Sequence, residues 1–222
     1  MLIEESARER AMSYELLAGI FLKEPSLEQF EVLQRWAAEL GEDSSLEDLL
    51  HEIERNDPEL EELIQTYYDL FFVPVSGRFV PPYEAAIRGA QRKERKKPKY
   101  AGVWGTSTFQ IMKLYEQIGF VPEKLEVFQP LREMKIPDHI GFELSALAYL
   151  CQAEASWSQE NKNIEPLRHF QKTLLIEHLG QWLELLKKDV ESVDPTGFYT
   201  YFTQLASEFC REEANFLGGT VS

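Results

Sequence analysis

The sequence has few of the features that mark secreted, membrane-spanning or disulfide-bonded proteins. Its two cysteines, Cys151 and Cys210, lie in apolar-patterned stretches without the spacing of a zinc site or a disulfide framework. No run approaches the roughly 18 apolar residues of a membrane-spanning helix. The N-terminus turns acidic at Glu4 and lacks the basic start and apolar run of a signal peptide. We therefore expect a cytoplasmic protein with buried free thiols and no integral membrane association.

Basic residues are also in the minority. The chain carries 23 basic and 38 acidic residues, a formal charge of −15, which repels nucleic acid and anionic lipid and favours a cationic partner. Residues 88–99 depart from this balance with seven basic residues and one acidic residue. No aromatic residue is interleaved there, so a nucleic-acid patch is not indicated. We expect a single domain over residues 1–222, with a candidate hinge or linker at residues 88–100.

The common catalytic motifs are absent. The sequence has no P-loop, GxGxxG, HExxH, GxSxG or EF-hand loop. The histidines do not pair with another ligand type at a clean metal spacing, apart from Asp138-His139 with Glu143 four residues on, and one helix turn would carry His139 and Glu143 side by side. A metal or general-base role for this pair needs a further partner. We therefore expect no catalytic residues, no bound metal and no cofactor.

Apolar residues recur at helical spacing almost throughout, and no stretch alternates long enough to form a sheet. The prediction is an all-α, compact multi-helix bundle of about eight or more helices. Ser26 followed three residues later by Gln29 is a capping box, and Gly41 would close the helix that follows. The first predicted helix ends near residue 23. The others cover residues 27–40, 45–55, 58–73, 83–88, 104–118, 138–155, 165–188 and 198–217.

Two segments suggest a binding surface. Asp138 follows Pro137 at a predicted helix start, so its carboxylate is expected to cap that helix, a contact that stabilises by about 1 kcal/mol. With His139 it would form a polar platform for a charged guest. Residues 67–72, YYDLFF, hold more bulky aromatic side chains than one helix face can hide. Two interpretations of these aromatic side chains stay open: packing in the core and the lining of a groove.

Three segments follow one another along the chain: Tyr67-Tyr68-Asp69-Leu70-Phe71, Pro81-Pro82-Tyr83-Glu84 and Ile136-Pro137-Asp138-His139-Ile140-Gly141-Phe142-Glu143-Leu144. In this order they resemble the motifs of one family, the TorD/DmsD/NarJ-type chaperones for molybdoenzymes. The resemblance covers about residues 10–217. Members of the family carry a Y-x-x-L-F stretch, a P-P-Y-E-S-like turn and an E-x-P-D-H-x-x-x-E-L helix start. This chain departs at Lys135, where the family has an acidic residue, and at Ala85, where it usually has serine.

The resemblance implies a TorD-like bundle that is a chaperone and not an enzyme. Such a protein binds the twin-arginine signal peptide of a molybdopterin-containing oxidoreductase, and sometimes its apo catalytic subunit, and delays export until the cofactor is inserted. A cationic pair followed by an apolar segment needs carboxylates beside a hydrophobic groove. The peptide-binding residues implied here are Tyr67, Asp69, Leu70, Phe71, Phe72, Pro81, Pro82, Tyr83, Asp138, His139 and Glu143.

Other interpretations stay open. One is a metal-dependent hydrolase that uses His139 and Glu143 with Asp69 or His178. Another is a scaffold subunit without a peptide ligand, whose aromatic segment is concealed in a permanent complex. Some relatives bind guanine nucleotides weakly, although no phosphate loop supports this here. The chain is expected to be a monomer, or a dimer that exchanges domains through residues 88–100.

Overall fold

A computed structural model describes residues 2–40, 50, 57–94 and 96–218. Over these residues the protein is all-α, as predicted, and it contains isolated β-bridges but no β-strand. The predicted helix over residues 45–55, the cap at Gly41 and His51 lie outside the described residues. The α-helices are α1 (Leu2–Leu22), α2 (Leu27–Leu40), α3 (Asp57–Phe71), α4 (Glu84–Arg88), α5 (Thr106–Ile118), α6 (Gln129–Met134), α7 (Ile140–Gln159), α8 (Glu165–Thr173), α9 (Leu183–Glu191) and α10 (Phe198–Phe216).

The central element of the bundle is α7. It packs along α1 and also against α8, while α10 packs against α9. Apolar residues surround most of α7, which is typical of a helix buried inside a bundle. Gly141 permits the close approach of α1, because a Cβ atom at this position would clash with the side chain of Leu22. Glycine at the start of α7 therefore sets how closely the two central helices pack.

Two local predictions, the cap of α2 and the buried free thiols, are confirmed. The amide of Gln29 donates to Ser26 Oγ at 3.3 Å, which is the predicted cap at the start of α2. Cys151 and Cys210 are buried and free. In the part of the chain that the structure describes, no helix has both the length and the apolarity needed to span a membrane.

The helix predicted over residues 165–188 is interrupted. After α8 the chain forms a π-helical turn, Leu174–His178, and a 3-10 turn, Leu179–Gln181, before α9 begins. The backbone of His178 is non-helical, with φ −115° and ψ −92°, and Gly180 follows, a residue that weakens helices. The helix predicted to end at residue 155 instead continues to Gln159. The interrupted segment places His178 beside Glu84 at the start of α4 and Trp182 beside Glu143 in α7.

The basic stretch at residues 88–100 is bonded both within itself and to the body of the protein. Gln91 and Lys99 form an antiparallel bridge with N–O distances of 2.9 and 3.0 Å. The guanidinium of Arg92 donates to both carboxylate oxygens of Asp189, at 2.6 and 2.9 Å. Arg95 lies outside the described residues. A hinge function for this stretch stays a prediction.

Candidate functional site

Two of the motif segments meet in space. Tyr83 and His139 form an isolated antiparallel bridge. The amide of Glu84 donates to the carbonyl of Asp138 at 2.9 Å, and the amide of Ile140 donates to the carbonyl of Pro82 at 3.0 Å. These bonds join the start of α4 to the start of α7. We call the side chains gathered here, Glu84, Asp138, His139, Glu143 and His178, the acidic junction.

Asp138 caps a different helix from the one predicted. Its Oδ2 atom accepts from the amide of Ala85 in α4 and from the hydroxyl of Thr108 in α5, each at 2.9 Å. The N-cap of α7 is His139, whose Nδ1 accepts from the amide of Gly141 at 3.1 Å. The prediction that Asp138 caps its own helix is therefore wrong, because the bridge to residue 83 aims its carboxylate at α4.

Two further carboxylates of the junction, Glu84 and Glu143, are completely buried. Glu84 Oε2 lies 2.8 Å from His178 Nδ1, and Glu84 Oε1 accepts from the guanidinium of Arg88. Glu143 Oε2 accepts from the indole nitrogen of Trp182 at 3.5 Å. Both His178 and Trp182 come from the interrupted segment before α9. The irregular backbone there thus supplies partners for these buried acids.

The charges of the acidic junction are incompletely matched. Within the described residues, Asp138 Oδ1, His139 Nε2 and Glu143 Oε1 are buried without a hydrogen-bond partner. Burial raises the pKa of Asp138 to about 6 and lowers the pKa of His139 to about 3. The pKa of Glu143 is raised well above its ordinary value, first by burial and then by Glu84 and Asp138. The junction therefore holds more carboxyl groups than basic groups, and a cationic ligand would favour the ionised form of these carboxyls.

The remaining predicted site residues separate into buried and partly exposed groups. Tyr67 and Phe71 pack in the core with ring centroids 5.8 Å apart, and the Tyr67 hydroxyl donates to the carbonyl of Phe21 at 3.0 Å. Phe72 and Asp69 are half-buried, and Asp69 pairs with Arg78 at 3.7 Å and not with the acidic junction. The other buried members are Leu70, Pro81, Pro82 and Tyr83.

An open cleft of about 540 Å³ lies over the acidic junction. Its walls come from α4, from the loop before α5 and from the first turn of α5. Ala85 and Arg88 line the cleft, and each is bonded to a carboxylate of the junction. The other lining residues are Gly89, Ala101, Gly102, Trp104, Gly105, Thr106, Ser107 and Gln110.

Exposed apolar side chains extend from Trp104, which lines this cleft, along the exposed surface of α5. Trp104 is 53% exposed and Phe109 is 61% exposed, with ring centroids 6.1 Å apart, and Met112 follows one turn later at 39%. We call these three residues the apolar shelf. The sequence pattern assigns Trp104 to a helix face, but α5 begins only at Thr106. Exposed aromatic residues that cluster are more informative than single ones, because such patches mark interaction sites.

A larger cavity of about 610 Å³ lies between α1 and α2. None of the predicted site residues lines it, and its walls include Met12, Leu16 and Trp36.

The metal hypothesis finds no support at the acidic junction. Across the described ranges, no group of three His, Cys, Asp or Glu side chains is placed to hold a metal ion.

The fold and the acidic junction define an all-helical protein in which two separated motifs meet beneath a cleft. A family model described as nitrate reductase delta subunit matches residues 33–187, which include both motifs. The chain therefore belongs to the nitrate reductase delta subunit family. This confirms the resemblance to molybdoenzyme maturation chaperones that the motifs indicated.

Two curated relatives match parts of the chain. The chlorate reductase assembly chaperone protein of Ideonella dechloratans is 28% identical over 122 residues, 47% of this chain and 62% of the relative. The selenate reductase assembly chaperone protein of Thauera selenatis is 32% identical over 62 residues, 28% of this chain and 32% of the relative. The match spans less than two thirds of each relative. Neither is named as an enzyme, in agreement with the expectation for this chain. No solved structure matches the chain significantly.

Proposed function

We propose that this protein is an assembly chaperone for a molybdoenzyme and that it binds the twin-arginine leader of its client in the cytoplasm before export. Membership of the family and two relatives named as assembly chaperones support the general function. The observation that carries the leader-binding step is the acidic junction beneath an open cleft. The apo catalytic subunit is the second partner in this proposal.

Charge favours a leader with two arginines over a neutral peptide. The chain has a formal charge of −15, so it attracts a cationic segment over distance. Asp138 and Glu84 are bonded to Ala85 and Arg88, which line the cleft. The carboxyl of Glu143 interacts electrostatically with both of these acids. Arginine suits such a site because its planar guanidinium forms paired hydrogen bonds with carboxylates.

The apolar part of the leader would lie on the apolar shelf. Trp104 lines the cleft, Phe109 contacts Trp104, and Met112 extends the exposed apolar area along α5. The motif residues Tyr67, Leu70 and Phe71 are buried and pack α3 into the core, so their role in this proposal is structural. Among the predicted residues, the carboxylates of the acidic junction bind the arginines.

Calorimetry with a twin-arginine leader and with its Lys-Lys version tests this proposal. We expect the arginine peptide to bind at least about tenfold more tightly, because lysine lacks the planar fork. Trp104→Ala should weaken binding by about tenfold or more with little loss of stability, since an interface tryptophan commonly contributes this much. Met12→Ala in the cavity between α1 and α2 is the matched control.

Three outcomes separate the alternatives. No heat with several native leaders would contradict leader binding. If Met12→Ala weakens the complex and Trp104→Ala does not, the leader lies between α1 and α2 and not on the apolar shelf. A permanent complex that buries the shelf and excludes leaders would favour the scaffold interpretation.

A further inference from the structure

Glu84 is a buried carboxylate held between two basic side chains. Its side chain has no exposed surface, whereas 37% of the Arg88 side chain is exposed. His178 approaches Glu84 from the interrupted segment before α9 at 2.8 Å, and Arg88 approaches from the side of the cleft. The carboxylate is therefore shielded from the cleft by one guanidinium.

Arg88 is placed so that it can leave this position. It is the last residue of α4, and its other hydrogen bond is to the carbonyl of Glu177 at 3.2 Å. A partly exposed arginine at a helix end loses little packing when its side chain turns into solvent. Leaving Glu84 buried without a cation would be costly, so Arg88 can depart only when another cation takes its place.

The surroundings of Glu84 favour a second cation. Within the described part of the chain, Glu143 Oε1 and Asp138 Oδ1 are buried and lack hydrogen-bond partners. Both carboxyls interact electrostatically with Glu84. Arg88 and His178 are the basic groups that contact Glu84. A guanidinium that reached further than Arg88 would gain acceptors that Arg88 does not use.

We propose that the Glu84 carboxylate is a binding site for the guanidinium of an arginine on an incoming polypeptide, and that Arg88 occupies this site until that arginine displaces it. The identity of the polypeptide rests on the proposed function, because a twin-arginine leader supplies the arginine. The chemistry of the site does not depend on it. A small guanidinium compound should therefore bind when Arg88 is removed.

Chemical rescue tests the site without any leader peptide. Ethylguanidinium chloride should raise the melting temperature of Arg88→Ala by about 2–4 °C relative to ethylammonium chloride at equal ionic strength, as expected for a ligand that binds only the folded state. The wild type and Arg132→Ala, a change on the exposed surface of α6, should show no such difference. Equal shifts in all three proteins, or equal shifts with both salts, would overturn the proposal.

A leader peptide then tests displacement. If Arg88 competes with the client, Arg88→Ala should bind the twin-arginine leader about tenfold more tightly than the wild type does. Affinity that is equal or weaker would show that Arg88 does not occupy the client's site and would overturn the proposal. If no leader binds either protein, leader recognition fails as the function, while the rescue by ethylguanidinium still decides whether Glu84 is a guanidinium site.

Discussion

Two buried clusters of charged side chains lie along α7, about 16 Å apart on its axis, and they differ in how their charges are matched. At one end of α7, Glu154 is completely buried. It accepts from Arg10 at 3.2 Å, from Arg168 at 2.9 Å and from Gln171 at 2.8 Å. Arg10 also pairs with Glu213 and donates to Gln171 at 2.6 Å. We call these five residues the Arg10 network.

The acidic junction at the other end of α7 has the opposite character. Glu143 interacts there with Glu84 and Asp138, which carry the same charge, and within the described residues its Oε1 atom has no partner. Buried carboxyl groups that repel one another are costly and persist mainly where function requires them. The comparison indicates that the Arg10 network stabilises the bundle, whereas the acidic junction has a cost in stability that fits the cation site we propose there.

The largest expected effect is in the Arg10 network. Arg10→Met should lower the free energy of unfolding by about 3–5 kcal/mol, because Glu154 and Glu213 would stay buried with too little positive charge. Urea unfolding at pH 7 measures the loss. Arg35→Met on the exposed face of α2 is the control, with an expected change below about 0.5 kcal/mol. A loss for Arg10→Met as small as the control would contradict a structural role for the network.

A smaller, pH-dependent effect is expected at His139. Its pKa is lowered by burial from 6.5 to about 3, so between pH 7 and pH 5 the unfolded chain takes up a proton that the folded protein does not. Wild-type stability at this residue falls by about 2 kcal/mol over that range. His139→Asn keeps a capping acceptor for Gly141 and lacks this loss.

Urea unfolding at pH 7 and pH 5 checks the expectation for His139. Relative to the wild type, His139→Asn should gain about 2 kcal/mol when the pH falls from 7 to 5. His169→Asn on the exposed surface of α8 controls for the substitution itself. If both variants follow the wild type in parallel, His139 is not held neutral by burial.

The smallest stability effect should have the opposite sign. Burial raises the pKa of Asp138 from 3.8 to about 6, so as the pH falls from 7 to 5 the folded protein takes up a proton before the unfolded chain does. The wild type gains about 1 kcal/mol from this residue, and Asp138→Asn should lack the gain. The same unfolding experiment at two pH values detects the difference.

Binding separates the structural and functional roles of Asp138. Asp138→Asn keeps an acceptor for Ala85 and Thr108, so we expect the protein to stay folded while the twin-arginine leader binds more weakly. Calorimetry at pH 7 measures the affinity, and Glu212→Gln on the exposed surface of α10 is the control. Unchanged affinity for Asp138→Asn would remove Asp138 from the leader site.

Much of the fold followed from local patterns. The periodicity of apolar residues predicted an all-α protein, and the Ser26–Gln29 pattern located the start of α2. The order of the three motifs along the chain indicated the family. These features could be predicted because helix periodicity, capping and turn residues depend on neighbours within a few positions along the chain.

The sequence by itself therefore determined the helical class, the capping of α2 and the family. Only the tertiary structure decided where the carboxylate of Asp138 points, because its partner Ala85 lies 53 residues away in the sequence. It also decided the interruption before α9, since residues 174–181 keep a helical apolar pattern and their departure from it accompanies the contact between His178 and Glu84. Local spacing cannot encode such contacts, and the acidic junction is made from them.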